Sequence, residues 1–364
     1  IVIEDALRLN GAISELTGSA DFSAKKITIT VSWQTPIPSS ITDVMYLSRY
    51  VNTSNITTTA TEFSSGTNSN TIVTNLSGGE VTLGAGGGGD WCAPNLSIAA
   101  IDLPKSGVAN AVSALEGQVI AGTGENASGV SFARIDISNT DPPTGSIVGE
   151  MSGYKTNDVF NEANYSYIAT DNNFKEAVIL GTQAAPYTEV GYFNAPGNGD
   201  GSSVFIAGNI GYMTDGNKLY TFDLSSKSGS RPQLGNMTLA DEGEKVYVVG
   251  NYAYVATEST TNQLQIIQVS NGGRTLSVVG QADVGGQEGK DVFINSSGTR
   301  AYLATELSVT EKEFFIIDIS AKTGNRSILG SYEANGMSPK GLTVVTGNKA
   351  ILVGTGGEEY QVIN

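Results

Sequence analysis

The chain has 364 residues, a length that suits two or three domains. Only 15% of residues are charged, yet 36 Asp and Glu against 20 Lys and Arg leave a net charge of −16, with one cysteine and no histidine. These counts exclude Ser-His-Asp and Cys-His nucleophile systems, His-ligated metals, an internal disulfide and a four-cysteine metal site.

The 39% hydrophobic content is enough for a packed core. An acidic chain without a basic cluster is a poor partner for nucleic acid or an anionic membrane. No stretch reaches the ~18 apolar residues of a membrane helix. The chain opens at Ile1 with no charged and apolar leader, so a processed or an incomplete product is expected. Low cysteine, acidic charge and abundant Ser, Thr, Asn and Gly suit an extracellular location. The Asn-x-Ser/Thr triplets, from Asn52 to Asn325, are what such a composition yields by chance.

In chain order, residues 1–17 place Ile3, Ala6, Leu9, Ala12, Ile13 and Leu16 at spacings of three and four, which predicts a helix weakened by Gly11. Lys26–Trp33 alternates as a strand, Pro36 and Pro38 break it, and Ile41–Val51 reads as a returning strand or a short helix. Residues 1–51 are therefore expected to be a small α+β unit. Residues 52–91 are a Thr/Ser/Gly-rich connector with strand patterns at Thr71–Thr74 and Glu80–Leu83, ending in the hinge-like Gly84–Gly89.

From about residue 92 the chain repeats itself. A short apolar strand ends in Thr at positions 123, 170, 214, 257, 305 and 355, spacings of 47, 44, 43, 48 and 50. A leading strand precedes each, beginning at Val108, Asp158, Ser203, Lys245, Asp291 and Gly341. A further apolar strand follows each, closing on Asp136, Asp223, Gln268, Asp318 and Asn364 in five of them. An outer strand carries a glycine at Gly149, Gly191, Gly235, Gly280 and Gly330. Four strands per unit of about 45 residues predict the blades of a β-propeller. The expected fold is mainly β: six four-stranded blades, with seven as the alternative, after the small α+β segment. The repeats fall near 105–152, 153–196, 197–240, 241–285, 286–335 and 336–364. Leu96–Leu103 has the outer-strand pattern and could complete the last blade. Small residues in leading strands, such as Ala109, Ala111, Ser113, Gly208 and Gly250, are expected at a crowded axis. Cys92 reads by default as a small buried residue; in an extracellular chain, an odd cysteine has its partner outside these residues.

Two resemblances follow from these residues. The stretch from Ile1 to Leu16 leading into Lys25–Trp33 resembles the C-terminal half of a minor type IV pilin or pseudopilin. That resemblance implies a subunit anchored by a hydrophobic N-terminal helix, a half not present in this sequence, and partnered by other pilus or surface subunits. The repeats, notably Phe314–Ser320 and Gln265–Ser270, are similar to bacterial surface propellers of the LVIVD or YVTN type. Gly181 and Gln268 depart from that family's Asp, and the likeness implies architecture with no catalytic set.

Candidate chemistry is sparse. Glu242 with Glu244, or Glu358 with Glu359, are the carboxylate pairs that glycosidase-type acid–base work would require. They lie at blade junctions, where carboxylates are usually solvated. Asn198–Gly201 and Asp171–Asn173 are oxygen-rich but lack the calcium loop's terminal Glu, and turn chemistry explains them. Gly84–Gly89 lacks the Gly-Lys-Ser/Thr of a phosphate loop. Tyr165, Tyr167, Tyr212, Tyr252, Tyr254 and Tyr302 read as packing between blades, whereas Tyr187, Tyr192 and Tyr332 near outer strands could meet a protein or glycan. No catalytic, cofactor-binding or metal-binding residue is assigned. The expected function is a non-enzymatic, extracellular, cell-surface or pilus-associated subunit displaying a propeller for adhesion. The alternatives are a purely structural filament subunit, or a carboxylate-dependent hydrolase or lyase acting in the propeller channel.

Overall fold

A four-stranded repeat with two apolar faces has to be covered on both sides, and stacking against the next repeat is how this chain does it. The computed structural model describes residues 1–9, 12–14, 17–33, 39–48, 67–68, 71–75, 80–83, 109–115, 117–123, 130–140, 143–345 and 349–364. It divides into two units, Ile1–Leu96 and Ser97–Asn364.

In the second unit each repeat is an antiparallel meander, strands a to d from the axis outward. Blade 1 comprises Ala109–Leu115, Gln118–Thr123, Val130–Thr140 and Pro143–Ser152. Blade 2 comprises Thr156–Asn161, Tyr165–Thr170, Ala177–Gly181 and Thr188–Phe193. Blade 3 comprises Gly201–Ala207, Ile210–Asp215, Lys218–Asp223 and Gln233–Thr238. Blade 4 comprises Gly243–Val249, Tyr252–Thr257, Leu264–Ser270 and Thr275–Ala282. Blade 5 comprises Gly289–Ile294, Arg300–Thr305, Phe314–Asp318 and Ile328–Tyr332. Blade 6 has three strands among the described residues, Ser338–Val345, Lys349–Thr355 and Tyr360–Ile363. The strand expected at 96–103, Cys92 and the 84–89 hinge lie outside the described residues.

The core is a series of layers between successive blades. Ile120, Phe132 and Ile168 join blades 1 and 2. Phe193 and Phe222, their rings stacked 4.6 Å apart, join 2 and 3. Val248 and Val255 lie between 3 and 4, Ile266 and Leu303 between 4 and 5, and Phe314 and Leu352 between 5 and 6. Near the axis, strand a contributes a run of rings: Phe160, Phe205, Tyr247 and Phe293 follow one another at 4.7, 5.0 and 5.3 Å. Of the small residues expected there, Ala109, Ala111 and Ser113 lie on strand a of blade 1, whereas the two glycines do not. Gly208 and Gly250 occupy a–b turns with φ of +61° and +60°, where glycine relieves left-handed strain.

The recurrent Thr has a mechanical reason. It ends strand b, and its hydroxyl donates to the carbonyl just before strand c: Thr170 to Lys175 (2.7 Å), Thr257 to Asn262 (2.8 Å) and Thr305 to Lys312 (3.2 Å). The same three threonines donate their N–H groups to the carbonyls of Glu176, Gln263 and Glu313. The side chains of those residues are buried and accept from the N–H of Ala195, Val284 and Ala334. A b–c connection is thus tied to both neighbours in three blades.

The first unit corrects the sequence reading. No helix lies over the described part of residues 1–17. Val2–Leu9 and Ala12–Ser14 are strands in a sheet completed by Ser19–Trp33 and Ser39–Ser48. Ile1, Ile3, Leu7 and Leu9 also fit a period of two, with Glu4, Ala6 and Arg8 on the opposite face. Cross-strand ion pairs of Lys25 with Asp5 and of Arg8 with Asp21 stabilise the extended form. The α+β pilin-like segment is therefore an all-β one. Ile41 lies on a strand, as the first of its two readings had it, and Thr71–Asn75 pairs with Glu80–Leu83. No helix among the described residues is long and apolar enough to cross a membrane.

Register places Ile3, Ile27 and Met45 side by side, and Val31 opposite Ile41. With Ile29 and Leu47 they lie on one mainly aliphatic face, which also carries Asp43 and the Lys25–Asp5 pair, and the other carries Thr28, Thr30, Ser32, Ser40 and Thr42 with Lys26, Val44 and Tyr46. The aliphatic residues meet solvent, with Ile3 63%, Ile41 65% and Leu47 58% exposed.

Candidate functional site

Strand a begins, and strand b ends, on one side of each blade, so the d–a and b–c connections share that face. The first residues of strand a therefore decide what faces the axis and the mouth above it. One position recurs as Asp158, Ser203, Lys245 and Asp291 in blades 2 to 5. Asp158 is almost fully buried. Its carboxylate accepts from Ser203 Oγ (2.7 Å), from the N–H groups of Val159 (2.9 Å) and Val204 (3.0 Å), and from Lys245 Nζ (2.6 Å). Asp291 accepts from the N–H of Val292 (2.7 Å) and of Leu342 in blade 6 (2.6 Å). One acidic position thus ties each of these blades to its successor.

Burial pushes the Asp291 carboxyl up to about 6, against the pull of the Lys245 ammonium and the two N–H donors. Burial works against the charge on Lys245, but the Asp158 and Asp291 carboxylates outweigh it and hold the ammonium above its ordinary range. With two carboxylates and one ammonium, the axial cluster carries one net negative charge when all three are ionised.

One residue earlier in strand a lies a second cluster. Lys290 Nζ contacts Glu244 (2.8 Å), Glu258 (3.1 Å) and Glu288 (2.8 Å). Burial and a hydrogen bond with Glu258 push Glu244 up, whereas that same bond, donated by protonated Glu244, lowers Glu258. Burial opposes the charge on Lys290, but its three carboxylates together raise it. The two carboxyls are thus pushed apart beside a cation that all three acids contact.

The predicted carboxylate pairs do not form. Glu242 is exposed on the d–a connection, and the partner of Glu244 is Glu258. Glu358 and Glu359 are exposed on the b–c connection of blade 6. Asn172 accepts from the Phe174 N–H at 3.0 Å, so the 171–173 segment is an Asx turn. No group of three or more His, Cys, Asp or Glu able to hold a metal occurs among the described residues. Tyr167, Tyr212 and Tyr254 are buried between blades, as expected. Tyr187 departs from its reading as a surface contact: it is buried edge-on to Phe132 in the layer between blades 1 and 2. Tyr192 is half-buried beneath the Lys175 ammonium, and Tyr332 remains exposed.

Sequence reasoning missed Asp158, Lys245, Asp291 and Lys290. The signal was the place of Asp158, Lys245 and Asp291 at the start of the leading strand, masked because one position holds an acid, a serine and a base in turn. On the opposite side, a cleft of about 510 Å³ between blades 1 and 2 is lined by Gln118, Arg134, Asp136, Asn164, Thr182 and Tyr187. Arg134 is buried there, donating to Gln118 and to the Thr182 carbonyl at 2.7 Å.

Comparison with known proteins agrees with this geometry. Residues 242–274, in blade 4, match the LVIVD repeat. Among solved structures, a Bacteroides fragilis protein provisionally named 6-phosphogluconolactonase is similar at 10% identity and a TM-score of 0.55, over 79% of this chain and 91% of that one. The β-propeller domain of Cps50 (Swd1) from Myceliophthora thermophila is similar at 8% identity and a TM-score of 0.51, over 72% of this chain and 98% of that one. The computationally designed Ika8 protein is similar at 10% identity and a TM-score of 0.51, over 70% of each chain. No curated protein matches. At these identities the likeness concerns fold alone: the second unit is a β-propeller containing an LVIVD repeat.

Proposed function

We propose that the protein is a non-enzymatic, extracellular binding module, carried on a cell surface or pilus, whose propeller engages a protein or glycan in adhesion. The observation that carries this reading is the commitment of the axial and mouth carboxylates to internal partners. Asp158 and Asp291 are held by backbone N–H groups of the next blade, and Glu244, Glu258 and Glu288 converge on Lys290. Such groups fix the framework and leave the connecting loops as the variable, ligand-meeting part. The exposed aliphatic residues Ile3, Ile41 and Leu47 on one face of the first unit suit attachment to other pilus or surface subunits, because exposed apolar surface marks interaction sites.

A glycan array and a pull-down from target-cell surface extracts, both with the full chain, test the adhesion reading. A saturable ligand lost on altering the propeller loops supports it. No ligand in either assay, together with a propeller on every subunit of a filament by imaging, would replace it with the structural-subunit reading. The adjacent Glu244 and Glu258 carboxyls, both in contact with Lys290, are what the hydrolase or lyase alternative would use. Turnover abolished by Glu244→Gln without loss of folding would establish that reading instead.

A further inference from the structure

In blades 1 to 5, strand c meets the glycine of strand d at one recurring position. Opposite Gly191, Gly235, Gly280 and Gly330 stand Ile179, Thr221, Ile266 and Ile316. Opposite Gly149, in blade 1, stands Arg134. The repeat thus builds a blade with an aliphatic or small side chain at this place, and the framework has no use of its own for a guanidinium there.

Arg134 is only 8% exposed. Its partners are neutral. Nη1 donates to the Thr182 carbonyl at 2.7 Å and Nη2 to the side-chain carbonyl of Gln118, while Nε is buried without an acceptor. No Asp or Glu among the described residues forms an ion pair with it. The Thr182 hydroxyl is also buried without a partner. A buried cation that meets only neutral groups is expensive, and an aliphatic side chain avoids that cost. A cost that one blade bears and four blades avoid marks a functional place, because that is where local rules of folding are broken.

The guanidinium lines the cleft of about 510 Å³ between blades 1 and 2. Connections of blade 2 shape this cleft: Asn164 comes from the a–b turn, and Thr182, Gln183 and Tyr187 from the c–d connection. Asp136, two residues beyond Arg134, lines it as well. Gln118 holds the two charged groups in place. Its amide oxygen accepts from Arg134, and its amide nitrogen donates to Asp136 at 2.9 Å. A ligand entering the cleft therefore meets one fixed cation, one carboxylate and the amides of Gln118, Asn164 and Gln183. Val148, 39% exposed, adds an apolar contact to the lining.

We propose that this cleft binds an acidic sugar, with Arg134 taking the sugar's carboxylate. The planar guanidinium matches a carboxylate in geometry and charge. Asp136 and the amides take the ring hydroxyls, and Val148 takes the C–H face of the ring. Asp136 also selects by charge. Beside Arg134 it balances the cleft, so a singly charged carboxylate is accepted and a phosphate dianion is repelled. The volume falls in the range of small-molecule sites and exceeds a single sugar ring, so a terminal acidic residue fits together with its neighbour. This rests on the adhesion reading and deepens it, by naming the glycan as an acidic one.

Saturation-transfer NMR on the full chain tests the proposal. The probes are D-glucuronate, D-galacturonate and N-acetylneuraminate, with D-glucose, acetate and inorganic phosphate as controls. At least one acid should bind saturably, about tenfold or more tighter than every control, the range of a charge-assisted hydrogen bond. Arg134→Ile introduces the side chain of blades 2, 4 and 5. It should weaken the acid about tenfold or more while the melting temperature stays unchanged or rises. Asn164→Ala, at an exposed turn, should weaken it about two- to fivefold at an unchanged melting temperature, and it decides the matter if Arg134→Ile does not fold. The proposal is overturned if no acid binds saturably, or if glucose or phosphate binds as tightly. Equal binding to folded Arg134→Ile overturns it too, as does equal binding to Asn164→Ala where Arg134→Ile does not fold. A cell-surface ligand that survives Arg134→Ile overturns the cleft and leaves adhesion standing. Acids that bind the cleft of a chain with no surface ligand support the cleft and end the adhesion reading.

Discussion

Asp291 is a carboxyl that folding makes harder to ionise, and replacing it should flatten part of the pH dependence of stability. Its ordinary value is 3.8 and its folded value about 6. Because the folded value is the higher one, the native state holds its proton more tightly. The associated stability is therefore fully present below pH 3.8 and lost as pH rises through 6. That difference, at 1.36 kcal/mol per unit, corresponds to about 3 kcal/mol. Asp291→Asn cannot titrate. It also keeps only one acceptor oxygen for the N–H groups of Val292 and Leu342, a cost of its own that does not vary with pH, while the charge-dependent part of those bonds is already contained in the folded value of Asp291. Hence the stability of the wild type relative to Asp291→Asn should fall by about 3 kcal/mol between pH 3.5 and pH 7.5. Urea melts of both chains followed by the same probe give that difference, and carboxyl-selective NMR reads the titration directly. Parallel stability curves, or an Asp291 carboxyl titrating near 4, would refute the account of a desolvated acid held between blades 5 and 6.

Three further outcomes follow from the same packing. Gly280→Val should cost about 2–4 kcal/mol, because its side chain must displace the Lys322 backbone from the rim of blade 4; calorimetry of the full chain measures it. Lys322→Met should cost about 1–2 kcal/mol through loss of two ring contacts and the hydrogen bonds to the Gly298 and Ile319 carbonyls, with Lys227→Met a parallel case in blade 2. Burial pushes the Glu176 carboxyl up, and one of its oxygens has no hydrogen-bond partner. Gln263 already fills the same position in blade 4, so Glu176→Gln should change stability by less than about 1 kcal/mol while Glu176→Ala costs about 2–4, read from paired urea melts.

The repeat was legible because strand-ending threonines and outer-strand glycines are each fixed by a contact that recurs with the blade. Thr170, Thr257 and Thr305 close b–c connections, and Gly191, Gly235 and Gly280 admit the neighbouring blade. What the glycines touch was not legible, since their partners lie in the next blade, some 40 positions along the chain. The axial cluster was harder still. Asp158, Ser203, Lys245 and Asp291 share a position but not a chemistry, and complementarity between consecutive blades replaces identity there. A search for similar residues passes over a site whose order depends on alternating charge.

Residues 1–9 show the opposite failure, a pattern compatible with two periods. Ile3, Ala6 and Leu9 satisfy a helical spacing, while Ile1, Ile3, Leu7 and Leu9 satisfy alternation. Intrinsic preference separates the two weakly in so short a segment, because an isolated helix of this length is marginal in water. The decision falls to partners distant in sequence. Lys25 sits in register with the opposite charge of Asp5, Arg8 reaches Asp21 diagonally across the ladder, and Ile27 lies beside Ile3. A helix would forgo the main-chain ladder to Ser19–Trp33 and leave that central strand open along one side. The same ladder collects Ile3, Ile27, Ile29, Val31, Ile41, Met45 and Leu47 on one face around Asp43 and the Lys25–Asp5 pair, so the pairing that rules out the helix also brings these aliphatic side chains together.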